Sequence, residues 1–275
     1  MKAHLREKYP KAHRFLSKLS KWASRESRLN RLNNKLPDGY RIQKIRHPHV
    51  YMGNNDTYLK FIDGYIKYNY DNYGVTLDPV RVVSLIEAAL LSNSIDGEIA
   101  ECGVYQGSST KILHSFCNPN KKIHLFDTFS GFTEEDLEIE KVKGSLVSHG
   151  QPHVNTSISK VRKNLEFPID DAKPISAIDR VMFHVGFVPE TFKNVKSTSF
   201  SLVHLDLDLY QPTLVSLNFF IPRLSKYGIL VLHDYAVPKD GYIGVFKAFE
   251  DSEHKQAVYG PLPFGDQSSA LFIKI

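Results

Sequence analysis

The 275-residue chain has little cysteine: Cys102 and Cys117 alone, with no Cys-x-x-Cys pair. Two cysteines make neither a disulfide framework nor a thiolate metal site, so a reducing, cytoplasmic setting is expected. No run approaches 18 apolar residues, and the most apolar stretch, Val82 to Leu91, is broken by Ser84 and Glu87. A membrane-spanning helix is therefore not expected. No apolar h-region opens the chain, which argues against a secretory signal. Internal repeats and low-complexity tracts are missing too. What remains, 42% hydrophobic and 24% charged residues, is the composition of a globular domain.

Acidic residues are scarce at one end. Residues 1–50 hold 14 Lys and Arg against Glu7, Glu26 and Asp38, a balance of +11; the other 225 residues hold 21 against 27, a balance of −6. Within that basic arm Phe15, Leu16, Leu19, Trp22, Ala23, Leu29 and Leu32 recur at helical spacing, and Pro37-Asp38-Gly39 ends the pattern. An amphipathic helix packed on the body or on a second subunit is the plainest reading, giving a homo-oligomer through the arm. Peripheral attachment to a membrane surface and a transit peptide are the alternatives. Nucleic acid is disfavoured, since the arm lacks interleaved aromatic stacking residues.

From about residue 76 the pattern alternates. Asp78-Pro79 opens a helix whose apolar residues run from Val80 to Leu90. Strand-like runs follow at 98–104, 122–127, 181–186, 200–206, 228–234 and 270–275, with helical stretches between them, including 212–224 and 241–251. Strands alternating with helices imply an α/β sandwich on a mostly parallel sheet, apolar on both faces. Two segments do not fit: 51–75, rich in tyrosine and read as a lid, and 133–178, polar and read as a variable acceptor-side segment.

In such sheets ligands sit beyond the carboxyl ends of the strands. Three of the strands run out at Asp127, Asp206 and Asp234. The first runs into Gly103 and Gly107, two glycines that let backbone approach a ligand. The third glycine of a dinucleotide fingerprint is lacking, and Glu101 adds negative charge where a pyrophosphate would sit. A sulfonium cofactor with an amino group fits better than NAD. Asp127, 24 residues after Gly103, is where an acid accepts ribose hydroxyls. Asp206, Asp208, His233 and Asp234 gather enough negative charge to require a proton or a divalent cation.

Four segments, Glu98 to Gly107 (EIAECGVYQG), His124 to Phe132 (HLFDTFSGF), His204 to Thr213 (HLDLDLYQPT) and His233 to Tyr235, together resemble the macrocin O-methyltransferase (TylF/MycF-type) family. Gly186 to Thr191 and the last 14 residues match as well. The resemblance covers about 76–275 and implies a class I methyltransferase (Rossmann-like) fold with a seven-stranded sheet. It also implies S-adenosyl-L-methionine as cofactor, Mg²⁺, and a sugar hydroxyl or glycosylated small molecule as acceptor. By the same resemblance Glu101, Gly103, Val104, Tyr105, Gly107 and Ser108 line the cofactor, and Asp127, Thr128, Gly186, Phe187 and Asp206 complete its site. Asp206 is the implied catalytic base, and Asp206, His233 and Asp234 the metal ligands. His233 stands where the family usually has Asp, and imidazole favours softer metals. Two other functions stay open: a nicotinamide oxidoreductase on a doubly wound sheet, and a non-catalytic binding module.

Overall fold

The computed structural model describes residues 56–74, 77–143, 153–167, 178–196, 199–235, 243–262 and 268–275. The basic arm at 1–50 lies outside them. Helix α1 (Asp56–Tyr73) leads to α2 (Pro79–Ser92), then β1 (Glu98–Cys102), α3 (Ser108–Phe116) and β2 (Ile123–Asp127). Next come α4 (Glu134–Lys143), α5 (Ile158–Leu165), β3 (Val181–Val185), β4 (Phe200–Leu205) and α6 (Tyr210–Phe220). The chain closes with β5 (Leu224–Leu232), α7 (Ile243–Asp251), β6 (Val258–Leu262) and β7 (Ala270–Lys274). Among the described residues no helix is long and apolar enough to cross a membrane.

Seven strands form one sheet in the order β3-β2-β1-β4-β5-β7-β6. The first five are parallel to their neighbours; β7 runs antiparallel to both β5 and β6. The sheet is thus mixed at one edge rather than parallel throughout. Side-chain alternation along the strands divides the core. Ile99, Ile123, Leu125, Leu202 and Val231 face one layer with α1, α2, α3 and α5, while Ala100, Cys102, Phe126, Val203 and Leu230 face a second with α6 and α7. The helices start where the sequence caps them. Asp78 Oδ1 accepts hydrogen bonds from the amides of Val80 (2.7 Å) and Arg81 (3.2 Å), and Pro79 fills the first turn. No side chain of its own caps α6; Glu140 of α4, 1% exposed, reaches across to accept from the Tyr210 amide.

Strand β6 carries Gly260 and Pro261, residues that weaken a strand signal and are tolerated at a sheet edge. The tyrosine-rich segment read as a lid supplies α1, whose Phe61, Ile62 and Tyr65 belong to the core. Tyr65, Tyr68, Tyr70 and Tyr73 are not among the residues lining the cavity described below. Tyr40 and Tyr51 lie outside the described residues.

A buried polar line crosses three strands on the α6 side. Glu98 Oε2 lies 2.6 Å from His124 Nε2, and His124 Nδ1 lies 2.9 Å from His184 Nε2. In the His124–His184 contact one facing ring nitrogen donates and the other accepts, so the two cannot both carry a proton there. Burial, and then the neighbouring His124, hold the His184 pKa down to about 4 from 6.5. The unfolded chain therefore takes up this proton first. Stability is expected to fall as pH drops from about 6.5 toward 4, by at most ~1.4 kcal/mol per pH unit from this group. Urea unfolding at pH 7, 6 and 5 of wild type and His184→Gln checks it: the variant should show a shallower pH slope. Equal slopes would remove His184 from the account.

Candidate active site at the carboxyl ends of the strands

Beyond Cys102 the chain turns sharply. Gly103 (φ 83°), Tyr105 (φ 49°) and Gly107 (φ 83°) are all left-handed. Gly103 is required by contact as well as conformation, since a Cβ there would lie 1.8 Å from the Asp206 carbonyl oxygen. Asp127, at the end of β2, staples the turn. Its Oδ2 accepts from the amides of Val104 (2.7 Å) and Tyr105 (2.8 Å), and its Oδ1 from that of Phe129 (2.6 Å). A carboxylate has about four acceptor positions, so one remains for a ligand hydroxyl without rearrangement.

A cavity of about 520 Å³ opens above these strand ends. Gly103, Val104, Tyr105 and Ser108 form one wall, Asp127, Thr128, Gly186 and Phe187 a second, and Asp206, His233 and Asp234 stand together in a third. Val82, Leu85, Ile112 and Phe126 supply apolar surface between them. Two residues expected at the cofactor stand elsewhere. Gly107 caps α3 and faces Val161 of α5. Glu101 is fully buried one layer back, where its Oε2 accepts from Thr110 Oγ1 and its Oε1 lies 3.1 Å from His204 Nδ1. The cavity-lining group is His204, so the charge of Glu101 reaches the cavity through an imidazole. Strand alternation explains the outcome: Glu101, the penultimate residue of β1, points to the face covered by α3 and meets Thr110 there.

Sequence reasoning missed His204, Arg81 and His153. Arg81 lies in the first turn of α2 and donates to Ser268 Oγ (3.2 Å). His153 comes from the segment 133–178; its ring meets Tyr105 and Phe132 edge-on, each at 5.2 Å, and its Nε2 is 3.7 Å from Asp208 Oδ2. The signal for His204 was present in its i, i+2 spacing from Asp206, which puts both on one face of the strand. No local signal marked His153.

Asp206, Asp208, His233 and Asp234 each present a donor atom within 4.8 Å of the others. His233 is 7% exposed, and its Nδ1 lies 2.6 Å from Asp206 Oδ1 and 2.9 Å from Asp234 Oδ2. Neither contact is aligned as a hydrogen bond, so both ring nitrogens stay without a hydrogen-bond partner. Burial opposes a proton on His233, but the adjacent Asp206 and Asp234 outweigh it and push the pKa up to about 10. Burial likewise opposes charge on Asp206, yet His233, assisted by His204 and Arg81, holds its carboxyl well below the usual range. Asp208 is raised well above it by burial, by the charge of Asp206 and by its hydrogen bond with Asp234. Three carboxyl groups and an orphaned buried imidazole converging on one point fit a divalent cation. Tyr105, His153 (φ 44°), Asp208 (φ 60°) and Asp234 (φ 51°) all have left-handed backbone on this cavity wall. Such strain, of order 1 kcal/mol or more per residue, gathers at ligand sites.

The chain is similar to known proteins in sequence and in fold. The chain is 26% identical over 154 residues to the 8-demethyl-8-(2,3-dimethoxy-alpha-L-rhamnosyl)-tetracenomycin-C 4'-O-methyltransferase of Streptomyces olivaceus, which covers 54% of this chain and 56% of that protein. It is 24% identical over 161 residues to the mycinamicin III 3''-O-methyltransferase of Micromonospora griseorubida, covering 56% and 60%. It spans little more than half the length of the curated relatives it matches. Among solved structures it superposes on the O-methyltransferase NovP with a TM-score of 0.60 at 18% identity, covering 80% of this chain and 97% of that one. On the calicheamicin methyltransferase CalS11 the TM-score is 0.56 at 20% identity, covering 86% and 99%. These likenesses establish the Rossmann-like methyltransferase fold. Residues 54–274 match the macrocin O-methyltransferase (TylF) family, and the chain belongs to it.

Proposed function

We propose that the protein is an S-adenosylmethionine-dependent O-methyltransferase that methylates a sugar hydroxyl of a glycosylated small molecule, assisted by a divalent cation. The carrying observation is that one cavity joins the Asp127-stapled glycine turn to the Asp206 cluster. Family membership removes the nicotinamide reading. The tetracenomycin relative is named as the O-methyltransferase of a rhamnosyl compound, which supports an acceptor of that class.

The residues divide the work. Asp127 keeps one acceptor position for a ribose hydroxyl, and Gly103 and Val104 offer backbone at the methionine end. S-adenosylmethionine supplies an already activated methyl group, so the protein must align and deprotonate the acceptor. Alignment of this kind can be worth ~7–11 kcal/mol. Asp206, Asp208, His233 and Asp234 would hold the cation, whose charge lowers the pKa of a nearby hydroxyl. Asp206 stands in both the cation cluster and the cofactor cavity, and it takes the proton from the acceptor oxygen.

Asp206→Asn keeps the shape and removes the base. It is expected to leave calorimetric affinity for S-adenosylmethionine within a few fold. Methyl transfer to a panel of TDP-rhamnose and rhamnosylated polyketides should fall by roughly 10²–10⁴-fold. A variant as active as wild type would exclude Asp206 as the base.

Cation binding must also displace the His233 proton, because a protonated imidazole cannot ligate. Titration with Mg²⁺ and Mn²⁺ in buffers of different ionisation enthalpy should show release of about one to two protons per ion. Affinity should rise about tenfold per pH unit for each proton between pH 6.5 and 8.5, and Mn²⁺ should bind more tightly than Mg²⁺. Binding without proton release would place the ion away from His233.

A further inference from the structure

The turn from Gly103 to Ser108 forms a wall of the cavity, but its left-handed residues give it no ladder of its own. Asp127 holds it from the strand side. Further restraints come from behind, out of two helices that do not line the cavity. On α1 the Tyr65 hydroxyl shares its proton between the Ser108 carbonyl oxygen (2.9 Å) and Asn164 Oδ1 (2.8 Å). Asn69 Oδ1 accepts from Ser108 Oγ (2.6 Å) and from Asn164 Nδ2 (3.3 Å). On α5, Asn164 Nδ2 also donates to the Gln106 carbonyl oxygen (3.2 Å). Tyr65, Asn69 and Asn164 are each fully buried.

The same turn is tied to the chain that precedes α5. Gln106 Nε2 donates to the Asn155 carbonyl oxygen (2.7 Å), and Thr156 Oγ1 donates to the Tyr105 carbonyl oxygen. Two residues earlier His153 stands in the cavity wall between Tyr105 and Phe132. Three of the four carbonyl oxygens from Tyr105 to Ser108, those of Tyr105, Gln106 and Ser108, are thus each bonded by a side chain from α1 or from 156–164. Buried hydrogen-bond networks rigidify when every member is satisfied and fail as a unit when one is removed.

We propose that Asn164, with Tyr65 and Asn69, is a positioning residue: it sets the shape of the Tyr105–Ser108 turn and so couples cofactor affinity to segment 153–165. None of the three touches the cavity, so their effect is indirect. This rests on the reading that the turn binds S-adenosylmethionine. The coupling is reciprocal. A ligand that stiffens the turn also stiffens α5 and the His153 segment, and ordering that segment strengthens cofactor binding in turn.

The test uses the full chain and S-adenosylhomocysteine as the probe, below the melting temperature of every variant. Asn164→Ala is expected to weaken calorimetric affinity by about tenfold or more and the milder Tyr65→Phe by a few fold. Leu217→Ala, a core truncation on the opposite face of the sheet, serves as the control; it should lower the melting temperature without changing affinity. In wild type the ligand should slow amide hydrogen exchange across 158–165 and 61–69, and Asn164→Ala should abolish that protection. Affinities within twofold of wild type for both Asn164→Ala and Tyr65→Phe would overturn the proposal. So would an equal loss in Leu217→Ala, which would mark a general stability effect. A wild-type chain that fails to bind the probe would instead overturn the cofactor reading, and this inference with it.

Discussion

The structure depends on one electrostatic constraint. Three carboxyl groups, Asp206, Asp208 and Asp234, are held at the adjoining ends of β4 and β5, where they cannot all carry charge without a cation among them. His233 supplies that cation as a proton, seated 2.6 Å from Asp206 and 2.9 Å from Asp234. Neither contact is an aligned hydrogen bond. A divalent ion would replace the proton and use the same donors. Parallel pairing of β1, β4 and β5 fixes the positions, and the absence of a side chain at Gly103 lets β1 close against Asp206.

A second set of carboxylates does the opposite work. Asp127 and Glu101 are held within the protein, one by three backbone amides with an acceptor position to spare and the other by Thr110 and His204. Their charge preorganises the glycine turn and the imidazole beside it. The result is a site whose dipoles are largely fixed before a ligand arrives.

Much of this was legible in the sequence. The strand ends at Asp127, Asp206 and Asp234 stand out because charged residues follow apolar runs, and the Gly103 turn because two glycines follow a strand. All four reach one cavity. What stayed hidden depended on tertiary distance. Glu101 reads as a ligand until strand alternation turns it toward Thr110. The tyrosines of α1 read as a lid, yet Tyr65 is buried 43 residues away from its partner Ser108. His153 belongs to a segment with no periodicity. Strand β6 was masked by its glycine and proline. Glu140 caps a helix 70 residues further along the chain, a pairing no local pattern encodes.

The most direct measurement of the central claim is a crystal structure with S-adenosylhomocysteine and Mn²⁺, using anomalous scattering to locate the ion. The account requires the ribose at Asp127 and an anomalous peak within coordination distance of Asp206, His233 and Asp234. A nucleoside bound elsewhere, or a filled cofactor site with no peak at that cluster, would contradict it.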